Sequence, residues 1–425
     1  MPKTKNQFFQ IILIIFAIMS FIYGFNNRED SAGGGKYDFV NTWNNQTTFN
    51  ENSFVTSMRN TKTFEIRTHI NSHFPFSYIL NKYINPFSNE KKSFLISIFI
   101  LNFFIPIIFF FCLRNKFRNK NVYLLAFLSS ILYLSPYFRT SAYWAGMENY
   151  GLMTFLLSFY FFSNYLNNNS KKKLNIILFS IFSCLCVYFD QKLLFVPIFY
   201  LLFFFKKENC YKNKILYLIL NFLLSIPILL LIFYWGSVTS PHDTVSRNVG
   251  NELYFEQIGY SLSIIFFYLI PYILFNFQDI YKVLKIKISK IFVLSIIFII
   301  YLILINVFPT NYYSWNDLGK GWLHKVSTIL FDNSSYGKIF TYIIFYISFI
   351  LIYIISLKKP LLQYFVLFFS LISLIILPVF QEYFDPLMLI FLSLSYYKEN
   401  EIKDSFVTFQ YLFSSLFLIS LNLYY

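Results

Sequence analysis

Charge is scarce in this chain. Asp, Glu, Lys and Arg together make up 13% of its 425 residues, while 57% are hydrophobic. A soluble globular domain carries about twice that share of charge, so this composition excludes one. Glycine and proline are also few, 12 and 13 in all, and leave long stretches unbroken. The four cysteines, Cys112, Cys184, Cys186 and Cys210, fall in or beside apolar runs without metal-ligand spacing, so neither a disulfide framework nor a cysteine metal site is indicated. There is no repeat of fixed period, no long soluble domain and no nucleotide-binding loop. The nearest approach to a phosphate loop, "SAGGGK" at 31–36, lacks the required spacing.

What the chain does have is apolar runs, of roughly 17 to 21 residues, each long enough as a helix to cross a hydrocarbon core of about 30 Å. They stand at 8–25, 93–112, 122–138, 150–166, 174–189, 193–205, 215–235, 260–277, 291–308, 339–357, 361–380, 386–397 and 408–424. In lipid the backbone must satisfy its own hydrogen bonds, so the expected fold is all-α. It is a polytopic transmembrane helical bundle of about twelve or thirteen spans, residues 1–425 forming one integral-membrane domain. The runs at 193–205 and 386–397 are short and fit re-entrant or tilted segments. The abundant Phe and Tyr, 58 and 35 residues, match AT-rich codon usage together with Ile, Asn and Lys, and are not counted as a ligand-stacking signal.

The net charge of +15 would suggest a nucleic-acid partner if it formed a patch. Counted through alternating spans, the basic clusters at 114–120, 171–173, 206–214, 282–290 and 358–359 all fall on one face. By the positive-inside rule that face is cytoplasmic, as is the N-terminus with Lys3 and Lys5. The charge therefore reports topology, and no nucleic-acid partner is expected. The first run is longer than a signal-peptide core and lacks a small-residue cleavage pattern, which reads as an uncleaved anchor.

The outer segments then become informative. The first, 26–92, is the longest and is rich in Asn and Thr; its tail "RTHINSHFPFSYIL" at 67–80 fits a helix lying along the interface. All the histidines (His69, His73, His242, His324) and tryptophans (Trp43, Trp144, Trp235, Trp315, Trp322) fall at or beyond the outer rim. Any chemistry is expected there.

Five constellations stand out. "GFNNREDSAGGGKYDF" at 24–39 places Glu29 and Asp30 directly after the first run, before three glycines that allow a sharp turn. They read either as a solvated loop start or as a general base or metal-coordinating carboxylate at the membrane surface. Glu148, in "RTSAYWAGMENYGLMTF" at 139–155, heads an apolar run, where an acid also simply favours a helix N-terminus. Asp190, Gln191 and Lys192 lie between two runs with almost no loop, and charges so near hydrocarbon need partners or a function. His242 and Arg247 stand with Asp243 in a Gly- and Pro-punctuated loop, as ordinary surface polar residues or as groups facing an anionic substrate. Glu382 and Asp385, in "PVFQEYFDPLML" at 378–389, are acids set among aromatics, a spacing that favours function over loop filler. "NYYSWNDLGKGWLHKV" at 311–326 reads as an interfacial segment with aromatic anchors.

The order of these pieces resembles the integral-membrane glycosyltransferases of the GT-C class. The likeness rests on the acidic pair in a long first outer loop, on "HFPFSYIL" returning to the second span, and on "MENYGLMTFLLSFYFF" opening the fourth. Some segments are similar to one branch, the dolichyl-phosphate-glucose α-1,2-glucosyltransferases. "YFDQKLLFVP" is set against that branch's Phe-Arg-Gln-Thr-Asn-Ile, with Asp190 in place of the Arg and Gln191 matching. The branch's Gly-Asp-then-His pattern meets "WGSVTSPH" here, without the Asp, and its Asp-Glu pair is reversed as Glu29-Asp30. Only the class carries over.

The resemblance implies a GT-C-like fold and transfer of a sugar from a polyprenyl-phosphate donor to a glycan or lipid-linked acceptor at the outer face. Asp30 or its neighbour Glu29 would be the base. Lys192, Arg139 or Arg247 would stabilise the departing phosphate, and Glu148, Asp190, Gln191, Lys192, His242, Arg247, Glu382 and Asp385 would line the substrates. A divalent cation is compatible with the site but not required, and no other cofactor is implied. In a bacterium the protein would sit in the plasma membrane. Two alternatives share the topology: a polymerase or ligase of surface oligosaccharides that holds diphosphate on outer arginines, and a transporter or flippase. The latter should show internal repeats and mid-span charges, neither of which is evident.

Overall fold

A computed structural model describes residues 2–62, 74–167, 171–241, 253–286, 288–309, 319–332 and 334–424. The described residues are helical or irregular, with no strand among them. Eight helices are long and apolar enough to cross a membrane, at Asn6–Asn26, Lys91–Lys116, Lys172–Phe189, Tyr211–Trp235, Phe255–Phe275, Ser289–Val307, Ser335–Lys358 and Asp404–Leu421. A ninth is obtained if the bent pair Val122–Leu134 and Pro136–Tyr143 is one span. The chain is a multi-pass integral membrane protein. It packs as two compact units, Met1–Ser246 with Lys398–Tyr425, and Arg247–Tyr397.

The remaining runs expected to cross are less regular, and the irregularities have local causes. The run at 122–138 divides into α7 (Val122–Ser130), a 3-10 turn and α8 (Pro136–Tyr143), bent by 65°. Pro136 biases Ser135 away from helical backbone, and the Ser135 hydroxyl accepts from Phe138 N at 3.2 Å to start α8. The run at 150–166 is the body of α9 (Glu148–Asn167), a full 20 residues but studded with buried polar side chains such as Asn149, Thr154 and Ser158. It is held against α10 (Lys172–Phe189), where Gly151 lies so close that a Cβ would come within 3.0 Å of Asp190 Cβ. The run at 193–205 begins as a 3-10 turn and continues as the 13-residue α11 (Phe195–Lys207).

In the second unit the run at 361–380 is helical only over Pro360–Ser373. Beyond it the main chain bonds elsewhere: Leu374 O accepts from Tyr254 N at 2.8 Å, Val379 O from Lys320 N at 2.7 Å, and Val379 N donates to Gln257 Oε1 at 2.9 Å. Pro378 could not donate to a continuing helix in any case. The run at 386–397 is a five-residue α-turn, Leu387–Phe391, followed by a π-turn, Leu392–Tyr396.

The long segment between the first two spans, expected on the outer face, is more structured than its polar composition suggested. After α1 (Pro2–Asn26) come α2 (Gly35–Glu51), α3 (Phe54–Asn60) and α4 (Phe76–Ile84), before α5 (Lys91–Phe103) and α6 (Ile105–Lys116). Residues 67–73 of the anticipated interfacial tail lie outside the described residues, and α4 supplies the rest. The helices α2 and α4 bury Phe39, Phe49 and Tyr78 against Phe94, Ile98, Met147 and Tyr150. Bonds between amides lock them further: Gln46 Nε2 donates to Tyr78 O at 3.3 Å, and Asn50 Nδ2 to Ser88 O at 2.7 Å. Asn and Thr in this loop are therefore stitching groups as well as solvated ones.

Candidate active site

Five aromatic rings cluster at the end of α1. Phe21 packs on Phe99 (5.3 Å between centroids), Tyr133 (5.0 Å) and Tyr143 (5.2 Å), and Phe25 stacks on Phe99 at 4.0 Å. The Tyr143 hydroxyl donates to Phe21 O at 2.7 Å. Against this cluster sits Arg139, one of the largest fully buried side chains of the protein.

An arginine has five N–H donors, and here all five are used. Nε donates to Glu29 Oε1 at 2.7 Å, and Nη2 donates to Glu29 Oε2 and to Ser20 O at 3.2 Å. Nη1 donates to Ser20 Oγ at 3.1 Å and to Tyr133 O at 3.0 Å. The fork-to-fork pairing with Glu29 is the geometry in which guanidinium and carboxylate bind best. Tyr133 O is available because the chain leaves the α-helix at residues 131–134. Gly24 is required by the same packing: a Cβ there would come within 2.6 Å of Arg139 Nη2, Glu29 Oε2 and Tyr143 Oη.

Asp30, one residue on, lives differently. Its Oδ1 accepts from Gly35 N at 3.1 Å and its Oδ2 from Lys36 N at 3.3 Å, so the carboxylate holds the first amides of α2. Gly33 and Gly34, both left-handed (φ 79° and 81°), turn the chain back far enough for this, as the triple glycine suggested. The turn is pinned to α8 by Ala32 N donating to Thr140 Oγ1 at 3.0 Å and by Trp144 Nε1 donating to Glu29 O at 2.9 Å. A Cβ on Gly35 would meet Thr140 Cγ2 at 2.5 Å, Trp144 Cδ1 at 2.7 Å and Asp30 Oδ1 at 3.1 Å. Among the described residues Asp30 has no ion-pair partner, and it is only partly buried. Of two adjacent acids, one is neutralised and one is positioned.

Other sequence candidates join this corner in part. Glu148 opens α9 and accepts a hydrogen bond from Ser141 Oγ, on α8. Asp190 is buried, accepts from Lys192 N at 3.0 Å, and lies 3.3 Å from Lys192 Nζ in an ion pair. Gln191 is half-buried beside it. Through Thr140, Ser141 and Gly151 these acids belong to neighbouring turns of α8, α9 and α10 in the first unit. His242 and Arg247 lie outside the described residues. In the second unit Glu382 is exposed while Asp385 is buried, so the two acids of that turn have different surroundings.

Two cations expected at a phosphate are engaged within the fold: all five donors of Arg139 are used, and Lys192 is paired with Asp190. The ion pair of residues 29 and 139 escaped sequence reading because 110 residues separate its members. The only trace was that both lie near apolar runs, where unpaired charge is costly. Among the described residues no group of three His, Cys, Asp or Glu is placed to hold a metal ion.

An apolar cavity of about 310 Å³ opens nearby between α4, α5 and the first turn of α9. Ile84, Ile100 and Leu101 line it, with Asn81, Asn85 and Tyr150 as its polar edge. Tyr150 Oη donates to Asn81 Oδ1 at 2.8 Å, and Asn85 Nδ2 donates to Ser97 Oγ at 2.9 Å, so the edge is internally satisfied. Tyr150 and Ile98, which border this cavity, also belong to the core that carries Phe39 of α2.

No family model matches the chain, and neither a curated protein nor a solved structure is found similar to it.

Proposed function

We propose that the protein is a membrane-embedded glycosyltransferase of GT-C type, in which Asp30 accepts the proton of an acceptor hydroxyl as that oxygen attacks a polyprenyl-phosphate-linked sugar. The acceptor O–C bond forms at the anomeric carbon, the bond from that carbon to the phosphate oxygen breaks, and the electron pair leaves with the phosphate. The observation that carries the reading is the contrast between the two acids. Glu29 is closed off by Arg139, whereas Asp30 is oriented by two amides, carries no counterion among the described residues, and stands at the end of a span. A base for a lipid-linked substrate has to work at headgroup depth, and its amide clamp fixes the oxygens while each keeps a further lone pair for the hydroxyl proton.

The apolar cavity supports a substrate with a hydrocarbon tail. It lies beside the span that begins at Lys91, and its walls present Ile84 and Ile100 outward. Of the two arginines on which the polymerase or ligase reading would place diphosphate, Arg139 is fully engaged within the fold, and Arg247 lies outside the described residues.

The test is transfer in reconstituted membranes supplied with candidate polyprenyl-phosphate sugars and an acceptor mixture, with labelled product isolated. Asp30→Asn, which keeps one amide-accepting oxygen, should lower transfer by about 10²- to 10⁴-fold, the usual contribution of a general base. Undiminished transfer by that variant would remove Asp30 from the role.

A further inference from the structure

Arg139 is fully engaged and Lys192 is paired with Asp190, and the described residues offer further cations for the anionic head of such a substrate. Arg28 stands two residues before it, exposed, at the end of α1. Lys36, whose own amide donates to Asp30 Oδ2, is exposed on the first turn of α2. One turn further along α2, the Phe39 ring carries Lys91 Nζ at 5.3 Å. Phe39 also packs on Trp144 (6.2 Å), whose indole N–H bonds Glu29 O. Arg28 and Lys36 thus flank Asp30 along the chain and Lys91 rests on the helix that Lys36 opens, and none of them forms an ion pair among the described residues.

Depth in the membrane favours the same set. Arg28 follows the span Asn6–Asn26 and Lys91 begins the span Lys91–Lys116; the segment joining them contains no crossing helix among its described residues. Both cations therefore border the same bilayer face, at the level of lipid phosphates. Arg28 carries a further sign. Its φ is 54°, a left-handed conformation that closes the helix and is ordinarily filled by Gly or Asn. An arginine there is strained, and strain retained beside a poised carboxylate points to a use for the side chain.

We infer that Arg28, Lys36 and Lys91 form a phosphoryl-binding site for the head of a lipid-linked substrate, next to Asp30. The site rests on the reading of Asp30 as the base, and it deepens that reading by assigning the groups that hold the leaving phosphate. Three separated cations suit a phosphoryl group that gains charge as its bond to the sugar breaks. Lys91, standing over an aromatic ring, keeps its ammonium partly oriented before the ligand arrives.

Binding can be measured without turnover. The full chain is placed in phosphatidylcholine nanodiscs containing polyprenyl monophosphate, and the bound lipid is counted by native mass spectrometry. Parallel discs contain phosphatidylglycerol instead, or inorganic phosphate as competitor. The wild type should retain polyprenyl monophosphate over phosphatidylglycerol. Arg28→Gly, Lys36→Gln and Lys91→Gln should each weaken retention about fivefold, and the triple variant about a hundredfold, the worth of single charges near a membrane surface.

Glycine fits a φ of 54° without strain, so Arg28→Gly should melt no lower than the wild type while it binds less. A structural role for Arg28 would not give that combination. Lys62→Gln with Lys82→Gln, exchanging cations elsewhere in the first outer segment, should leave retention unchanged. A triple variant that melts normally and binds like the wild type overturns the site, as does an equal loss in the Lys62 and Lys82 control. Displacement by inorganic phosphate at equal concentration would assign the patch to free phosphate and overturn the lipid assignment. An Asp30→Asn protein that binds but does not transfer supports both readings. One that transfers normally removes the base and leaves the phosphoryl site standing.

Discussion

The corner at residues 24–36 in the first unit and the turn at 378–385 in the second both set acids between apolar segments, and they are built by different means. At the first corner side chains do the holding: Arg139 spends five donors on Glu29, Ser20 and Tyr133, and Asp30 accepts two amides. At the second, main chain and amide side chains do it. Gln381 Oε1 accepts from Trp322 N at 2.8 Å, Gln257 Oε1 from Val379 N, and Val379 O from Lys320 N. Glu382, next to Gln381, is exposed. An acid near hydrocarbon is thus informative only once its oxygens have been assigned. The spacing of acids in sequence looked equally suggestive at both places.

The largest effect that would break this contrast is on catalysis. Asp30→Asn is expected to cut transfer by about 10²- to 10⁴-fold with melting nearly unchanged. Glu29→Gln should instead act mainly on melting, because it leaves a buried guanidinium without a countercharge. Next is the ion pair itself. Arg139→Ala should destabilise the first unit by about 3–5 kcal/mol, measured by thermal or denaturant unfolding in detergent, as expected when one member of a buried pair is removed. Exchanging both members for apolar residues, Glu29→Leu with Arg139→Met, should cost much less than either single loss.

Gly35→Ala sharpens the comparison further. It pushes on Thr140, Trp144 and Asp30 together, and should lower transfer more than it lowers stability, by a melting loss of about 1–3 kcal/mol for an overpacked site. In the second unit Gln381→Ala removes the acceptor of Trp322 N and should cost about 1–2 kcal/mol. It should leave polyprenyl-phosphate retention as it was.

The smallest effect concerns Glu208, at the turn between α11 and α12 (Tyr211–Trp235). Burial would raise its pKa, but hydrogen bonds from Tyr165, Cys210 N and Asn213, with Lys172 nearby, outweigh this and hold it below the usual carboxylate range. The stability it contributes is then present above the ordinary glutamate value of about 4.3 and lost as pH falls through its lower folded value. Melting profiles of Glu208→Gln should lack that acid-side decline.

The broad outline was legible because it is written in composition. Long apolar runs imply helices in lipid, and each of the eight helices long and apolar enough to cross overlaps a run read from sequence. The other runs are less regular for reasons local to them: Pro136 bends one, α9 carries buried polar groups against α10, and the backbone of 374–381 bonds to segments far away in sequence. The position of the acidic pair after the first span was visible. Its division of labour was not, since nothing near residue 29 announces Arg139, and Gly24 looks like any small residue of an apolar helix until the guanidinium lies against it. The approach of Lys91 to this corner was overlooked because it depends on Phe39 meeting both Lys91 and Trp144.

The wide separation of Glu29 and Arg139 also bears on biosynthesis. The carboxylate leaves the ribosome 110 residues ahead of its guanidinium, and one complete span and most of the bent pair are made in the interval. The pair ties the end of the first helix to the elbow begun at Pro136, so the tip of that helix cannot take its final partners until the elbow has been made.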